Sequence, residues 1–218
     1  PPMIRNDVIM RLIELLGVFV ARVMRRIEDG DWEGAGNEIE SEAKATIGLP
    51  MAVLENTPPS DLISLFSSRS GTDFPRLLSA GILLGVQGDL LFRQGNEIAA
   101  RLRWTQAMTL FLEATGSPDK DIEGRSSAGV AALENKLDRD DLPAELHLRL
   151  AAHHERLGHL ALAENHWFDG TEESGERDAI RLGFYGRIAS LPDAVLEKGG
   201  VTRREIEESM AALGGILG

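Results

Sequence analysis

The residues of this chain best suited to chemistry are its histidines, because all five fall within one short stretch of the 218-residue sequence. His147 and His154 lie seven residues apart, which places them on one face of a helix. His159 and His166 repeat that spacing on the next predicted helix. Imidazole nitrogens are common ligands of zinc and nickel, so this pattern could hold an ion between two helices. The full set is His147, His153, His154, His159 and His166.

Two features of these histidines argue against a metal site. The run from His154-Glu155 to His159 is one residue longer than the metalloprotease pattern His-Glu-x-x-His. In a continuous helix, a gap of five residues turns the second ring away from the first by about 140°. We therefore expect these histidines to pack between helices or to lie at the surface, and we expect no metal ligand and no cofactor. A pH-sensitive helix interface is the remaining alternative.

Other catalytic patterns are missing from the sequence. Gly81, Gly85 and Gly88 are not followed by the Gly-Lys-Ser/Thr of a phosphate-binding loop, and Gly-x-Ser-x-Gly does not occur. The adjacent carboxylates Glu172 and Glu173 are typical of a solvated face. The chain has no cysteine, which excludes thiol nucleophiles, thiolate metal sites and disulfides. We therefore expect the protein not to be an enzyme.

The net charge of −12 limits the partners that the protein can have. A nucleic-acid-binding protein presents a basic surface to phosphates, whereas the basic residues here are dispersed apart from Arg22, Arg25 and Arg26. The apolar stretch Val8–Met24 contains arginine and glutamate, so it cannot enter lipid without burying charge. We therefore expect a cytoplasmic protein with no nucleic-acid or membrane partner, and an acidic surface favours a basic partner.

The elements that would position these residues are helices. Leu, Ala, Glu and Arg are abundant, and no alternating run of β-branched residues predicts a strand. Three glycines each follow a helical stretch, and each is trailed by alanine at +5 and a bulky apolar residue at +9. Glycine ends a helix well because it adopts the left-handed conformation without a steric clash. The three sets are Gly30, Ala35 and Ile39; Gly95, Ala100 and Trp104; and Gly158, Ala163 and Trp167.

This pattern predicts an all-α protein built from antiparallel helix hairpins, and it resembles the tetratricopeptide repeat. The second hairpin has small and bulky residues at that family's spacing, and the third and first hairpins match it less fully. The matching residues are Gly88, Gly95, Ala100, Trp104 and Ala107 in the second hairpin, Ala151, Gly158, Ala163 and Trp167 in the third, and Val23, Gly30, Ala35 and Ile39 in the first. The resemblance implies a right-handed α-solenoid or a compact α-α superhelix.

The repeat differs from that family in its period. Tandem tetratricopeptide repeats recur about every 34 residues, whereas Gly30 and Gly95 are 65 residues apart and Gly95 and Gly158 are 63 apart. Each interval has room for a further short helix, so we expect an interrupted array. Gly170 and Glu42 also replace the alanine expected at the end of the motif. A generic helical bundle remains the alternative, because any antiparallel helix pair needs a glycine turn and a small contact residue.

The sequence also predicts how the chain is divided. The opening segment Met3–Glu14 resembles an uncharacterised bacterial domain family over about the first 115 residues, a resemblance that implies no activity. Gly116–Gly124 combines glycine, serine, proline and charge, which predicts a hinge. We expect an N-terminal domain of residues 1–115 with two hairpins, and a C-terminal domain of residues 125–218 with the third hairpin and closing helices. One continuous array is the alternative.

Hydrophobic periodicity predicts which side chains are buried. One long amphipathic helix is expected over Ile4–Glu28, with its apolar residues three and four apart. These residues are Ile4, Val8, Leu12, Leu15, Leu16, Phe19, Val23 and Ile27. Trp104 and Trp167 occupy the packing position of the repeat and are expected in the core, whereas Trp32 begins a helix and is expected to be partly exposed.

The tetratricopeptide resemblance implies a non-catalytic scaffold that binds a protein or peptide in the groove lined by the first helix of each pair. The groove positions are Asp89, Phe92 and Arg93 in the second hairpin, and Glu155 and Arg156 in the third. Two other functions remain open. A structural or self-assembling subunit would form a homo-oligomer through the amphipathic helix, and a metal-dependent enzyme would use the histidines.

Overall fold

The computed structural model describes residues 2–69, 71–171 and 174–214, with side chains from residue 7 to residue 213 apart from 70 and 172–176. Its elements are α1 (Pro2–Glu28), α2 (Trp32–Thr46), α3 (Met51–Asn56), α4 (Pro59–Leu65), β1 (Ser67–Ser68), β2 (Gly71–Thr72), α5 (Phe74–Arg93), α6 (Glu97–Ala114), α7 (Lys120–Glu134), a 3₁₀ turn (Arg139–Asp141), α8 (Ala144–Leu157), α9 (Leu160–Asp169), α10 (Ser174–Ile188), α11 (Asp193–Lys198) and α12 (Arg203–Gly214). The predicted all-α class is confirmed. The segment before α5 forms one short antiparallel pair, with Ser67 opposite Thr72.

The chain folds as two compact units, Pro1–Arg139 and Asp140–Gly218. The first unit continues beyond the predicted hinge, because α7 begins at Lys120, inside it, and packs against α1, α5 and α6. The Asp119 side chain caps this helix by accepting from the Ile122 backbone amide at 3.3 Å. Three apolar side chains of α7 are buried, which explains why this helix joins the N-terminal unit; they are Ile122, Val130 and Leu133.

Each of the three predicted turn glycines ends a helix in the left-handed conformation. The φ angles of Gly30, Gly95 and Gly158 are 76°, 80° and 77°. A side chain at any of these positions would be strained, because Cβ clashes with the carbonyl in this region of backbone space. The turns bring α1 against α2, α5 against α6, and α8 against α9, so the predicted helix hairpins are present.

The packing of α5 on α6 depends on glycines within α5. A Cβ built on Gly88 would lie 2.4 Å from Trp104 Cδ1, and one built on Gly81 would lie 2.6 Å from the Phe111 ring. Only glycine therefore leaves space for these two rings of α6. The neighbours of these two glycines are mainly aromatic rings. One backbone atom contributes, since the Ala100 carbonyl would lie 3.2 Å from the Gly88 Cβ.

The predicted apolar face of α1 is only partly buried. Leu16, Phe19 and Val23 are fully buried, as the periodicity predicts. Val8 and Leu15 were expected on the same buried face, but their exposed fractions are 63% and 56%. The reason is that the apolar stripe is wider than the surface that neighbouring helices cover. No helix within the described residues has the length and apolar character of a bilayer-spanning segment.

The C-terminal unit has its own core where α9, α10 and the last two helices meet. Its buried residues are Leu160, Ala163, Phe184, Tyr185, Ile188, Leu196, Val201, Ile206 and Leu213. Thr202 and Glu205 form a capping box at the start of α12. The Glu205 carboxylate accepts from the Thr202 amide at 2.7 Å, and Thr202 Oγ1 accepts from the Glu205 amide at 3.3 Å.

A pair of glycine substitutions tests the packing of α5 on α6. We expect Gly88→Ala to lower the free energy of unfolding by about 1–3 kcal/mol, because its Cβ would overlap the buried Trp104 ring. Gly85→Ala is the matched control, since its Cβ would lie 4.0 Å from Ala107, an ordinary contact. We expect that change to stabilise the helix by about 0.5–1 kcal/mol. Urea denaturation measures both values, and equal stability of the two variants would contradict the packing described.

The sole tyrosine tests the environment of the C-terminal core. Burial, and then a hydrogen bond donated to the Glu164 carboxylate, raise the pKa of Tyr185 above its ordinary value. The folded state therefore favours the neutral phenol, and this stabilisation is present below about pH 10 and is lost as pH rises through the folded pKa. Ultraviolet absorbance of tyrosinate should show a higher midpoint in native protein than in urea.

Glu164→Gln is the control for this titration, because it keeps the burial of Tyr185 but removes the carboxylate that accepts the phenol proton. We expect the native midpoint of this variant to fall towards the value in urea. A native midpoint equal to that in urea for the unchanged protein would show that Tyr185 is not buried as described.

Candidate functional site

The α8–α9 hairpin brings His147, His154 and His166 together inside the C-terminal unit. His147 Nδ1 lies 2.9 Å from His166 Nδ1, so one face of α8 meets one face of α9 at this pair. The His154 ring lies parallel to the His166 ring, with centroids 5.5 Å apart. Of the two expected environments, packing between helices or exposure at the surface, these three histidines show the first.

His159 lies closer to this group than the sequence analysis predicts. A continuous helix would turn its ring about 140° away from His154, but His154 Nδ1 and His159 Nδ1 are only 3.5 Å apart. That prediction is wrong because the helix is not continuous between them. Gly158, at φ 77°, reverses the chain and returns His159 to the end of α8.

Burial distinguishes these histidines from ordinary surface residues. His147, His153, His154 and His166 are each 3–5% exposed, while His159 is exposed. Asp169 joins the group from the end of α9, with its Oδ2 atom 3.9 Å from His147 Nδ1. His147, His166 and Asp169 each offer one ligand atom, and these atoms all lie within 4.8 Å of one another. Within the C-terminal unit, these are the described side chains that could hold a metal.

A second arrangement surrounds Trp104 in the N-terminal unit. The Trp104 ring is 4% exposed, and its Nε1 donates to Asp89 Oδ1 at 3.0 Å. Lys136 Nζ lies 2.5 Å from the same carboxylate oxygen and 5.4 Å from the centre of the Trp104 ring. The Phe92 ring packs against the Trp104 ring, and the two ring centroids are 5.4 Å apart. An acid, a tryptophan and a cation thus hold one another in place.

The same three kinds of residue meet in the C-terminal unit. Trp167 Nε1 donates to Glu155 Oε2 at 3.3 Å, and Arg187 Nε donates to Glu155 Oε1 at 2.7 Å. The Arg187 guanidinium lies 5.8 Å from the centre of the Trp167 ring. The hydrogen bond with Glu155 raises the pKa of Arg187 above its ordinary value. In each unit the first helix of the hairpin supplies the acid, the second supplies the tryptophan, and a later part of the chain supplies the cation.

The first hairpin lacks this arrangement. Ile39 stands at the tryptophan position and is fully buried. The acid here lies on the second helix, where Glu38 pairs with Arg22 at 2.6 Å and with Arg26 at 2.8 Å. Two of the three arginines that stood out as a basic cluster are therefore bound to a carboxylate of the same unit.

The structure divides the predicted partner-binding residues into two kinds. Phe92 is 47% exposed, and Arg93 and Arg156 are also exposed. Asp89 and Glu155 are half-buried and hold the tryptophans. Trp104 is buried as predicted, whereas Trp167 is half-buried; Trp32 is 38% exposed, which confirms its predicted partial exposure.

The sequence analysis did not identify the two cations of these groups. Lys136 follows α7 and Arg187 lies near the end of α10. Their distances along the chain from Trp104 and Trp167 differ between the two units, so no common spacing marks them. Only the packing of a third helix against each hairpin brings the cation to the ring.

Comparison with known proteins identifies a family but no activity. A family model described as a family of unknown function (DUF6483) matches residues 3–218. The match extends well beyond the first 115 residues for which the sequence resembles an uncharacterised domain family. No curated protein and no solved structure matches the chain. The tetratricopeptide resemblance is not confirmed by a family match.

Proposed function

Because the chain belongs to this family of unknown function, we propose from its geometry that it is a non-catalytic, tetratricopeptide-like scaffold that binds a protein or peptide. The observation that carries the proposal is the surface formed by Phe92 and Arg93 at the end of α5. Phe92 is a large apolar residue that is 47% exposed, and it rests on a tryptophan held by an acid and a lysine.

An exposed aromatic ring on a fixed support is suited to binding. Aromatic and arginine side chains contribute most of the energy at protein interfaces. A side chain already held in place loses little conformational entropy when a partner binds. The contacts of Trp104 with Asp89 and Lys136 restrict the surface on which Phe92 packs. We therefore assign partner contact to Phe92 and Arg93, and assign to Asp89 the support of Trp104.

The C-terminal unit offers a smaller version of this surface. Arg156 is exposed, and its neighbour Leu157 is 43% exposed at the end of α8. Glu155, like Asp89, holds a tryptophan, so its role in the proposal is also support. Arg156 stands at the position of Arg93 relative to the turn glycine, two residues before Gly158.

Charge favours a polypeptide partner over nucleic acid. The net charge is −12, and Arg22 and Arg26 of the basic cluster are paired with Glu38. A surface of this kind attracts basic segments and repels phosphate. A cytoplasmic location is part of the proposal, since a chain without cysteine needs no oxidising compartment for its folding.

Site-directed photocrosslinking tests the binding surface. A benzophenone side chain replaces Phe92, preserving an aromatic residue at the exposed position, and the protein is irradiated in its native cells. We expect one discrete crosslinked polypeptide, because the proposal places the partner against this ring. The matched control carries the same probe at Leu65, which is 59% exposed on a different helix.

Two results decide this experiment. Adding Arg93→Ala to the Phe92 probe should reduce the crosslink several-fold, because it removes an assigned partner contact, while far-ultraviolet circular dichroism stays unchanged. The absence of a crosslink at position 92, or the same products from position 65, would reject the assigned surface. Asp89 is left unchanged throughout, because its loss would release the buried Trp104 and confuse binding with stability.

A second candidate function, self-assembly through α1, is favoured by one specific observation. Val8, Leu15 and Val18 are 63%, 56% and 55% exposed. They lie seven and three residues apart, so they form one apolar stripe along the helix. A second copy of the same stripe would cover these side chains in a homo-oligomer.

Size-exclusion chromatography with light scattering tests this candidate. If α1 mediates assembly, the unchanged protein should be a dimer or larger, and Leu15→Glu/Val18→Glu should be monomeric, because buried charge opposes the contact. Leu65→Glu is the control and should keep the larger mass. A monomeric mass for the unchanged protein at high concentration would reject assembly through α1.

A further inference from the structure

We infer that His147, His166 and Asp169 form a binding site for one divalent transition-metal ion. This inference goes beyond the proposed scaffold function and does not depend on it. His147 lies on α8, whereas His166 and Asp169 lie on α9, so an ion would join the two helices of one hairpin. One ligand atom of each residue lies within 4.8 Å of those of the other two.

The spacing of the ligands suits a site between two packed helices. His166 and Asp169 are three residues apart, which places both on the same face of α9. Helical bundles bind metals through residues with this spacing, combined with a residue from the facing helix. His147 supplies that residue here, and Gly158 holds the two helices together in one hairpin.

The distance between the imidazoles suits two ligands of one ion. Two nitrogens bound to one metal at about 2.05 Å lie about 2.9 Å apart at a right angle, and about 3.3 Å apart in a tetrahedron. The observed separation of His147 Nδ1 and His166 Nδ1 is 2.9 Å. A separation of this size is close to that of two nitrogens bound to one ion, and nickel and copper are among the transition metals that bind nitrogen and oxygen ligands.

Burial and access also fit a bound ion. The two histidines are 3% and 5% exposed, so their imidazoles are shielded from competing water. The side chain of Asp169 is 33% exposed, which leaves a route from solvent. Its Oδ2 atom lies 3.9 Å from His147 Nδ1, which is less than the separation of about 4.1 Å between two ligands on opposite sides of one ion. A carboxylate with two imidazoles supplies one negative charge to a divalent cation.

The competing explanation for the short distance is a hydrogen bond between the two imidazoles. In that case one Nδ1 carries a proton and the other accepts it, and no ion is bound. The two explanations differ in metal content, in the number of nitrogens bound to an added ion, and in the effect of that ion on unfolding.

The test uses the full-length protein without a polyhistidine tag, stripped with a chelator and titrated with Ni²⁺. We expect one equivalent to bind and to raise the unfolding temperature, because the ion binds the native hairpin and not the unfolded chain. His147→Gln should weaken binding by at least about tenfold, since even residues behind the ligands contribute that much to affinity. Asp169→Asn should weaken Ni²⁺ binding as well. Because the Asp169 side chain is 33% exposed, this substitution should disturb the fold less than His147→Gln does.

His153→Gln is the matched control. His153 is also a buried histidine of α8 and is 5% exposed. Its Nδ1 atom lies 3.2 Å from the Arg156 guanidinium, and it is not one of the three assigned ligands. This variant should bind Ni²⁺ as the unchanged protein does. If it lost affinity as His147→Gln does, or if no variant changed the affinity, the assigned ligands would be wrong.

Copper provides a readout that a purely structural effect would not change. With one equivalent of Cu²⁺, electron paramagnetic resonance should show coupling to two nitrogens in the unchanged protein and in His153→Gln, and to one in His147→Gln. Coupling to a single nitrogen in the unchanged protein, or no binding of either ion, would overturn the inference. The partner-binding experiment at Phe92 is unaffected by either result, so failure of one proposal is distinguishable from failure of the other.

Discussion

The structure depends on glycine in the left-handed conformation at the end of a helix. Gly95 turns the chain so that α6 packs along α5, which places Trp104 over Gly88 and beside Asp89. Gly158 does the same for α8 and α9, and brings the histidines of the two helices into contact. Other residues would strain the backbone at these points. The aromatic surface and the histidine group are therefore both consequences of one kind of turn.

A second physical feature recurs within the two units. Each holds a tryptophan whose indole nitrogen donates to a carboxylate, while a cation from a later part of the chain pairs with that carboxylate near the ring. In the first unit these residues are Trp104, Asp89 and Lys136; in the second they are Trp167, Glu155 and Arg187. A buried carboxylate is costly unless it is paired. The cation therefore stabilises an acid that lies beside an aromatic ring. The same ion pair ties a third segment of the chain to each hairpin.

Much of the fold could be predicted from local sequence, and less of the candidate site. The glycine turns were predicted because they depend on residues near one another in the chain. Predictions failed where the outcome depends on distant neighbours. Leu15 is apolar at the right spacing but is 56% exposed, and α7 joins the N-terminal unit because it packs against α1, α5 and α6.

The sequence by itself determined the helices, the turns between them and the histidine faces, because backbone preference and a period of 3.6 residues are local properties. Only the tertiary structure decided that His159 returns to His154, that Lys136 meets Asp89, and that Phe92 remains exposed on a buried tryptophan. Each of these depends on which helix packs against which. Packing is set by the combined fit of many side chains that lie far apart in the sequence.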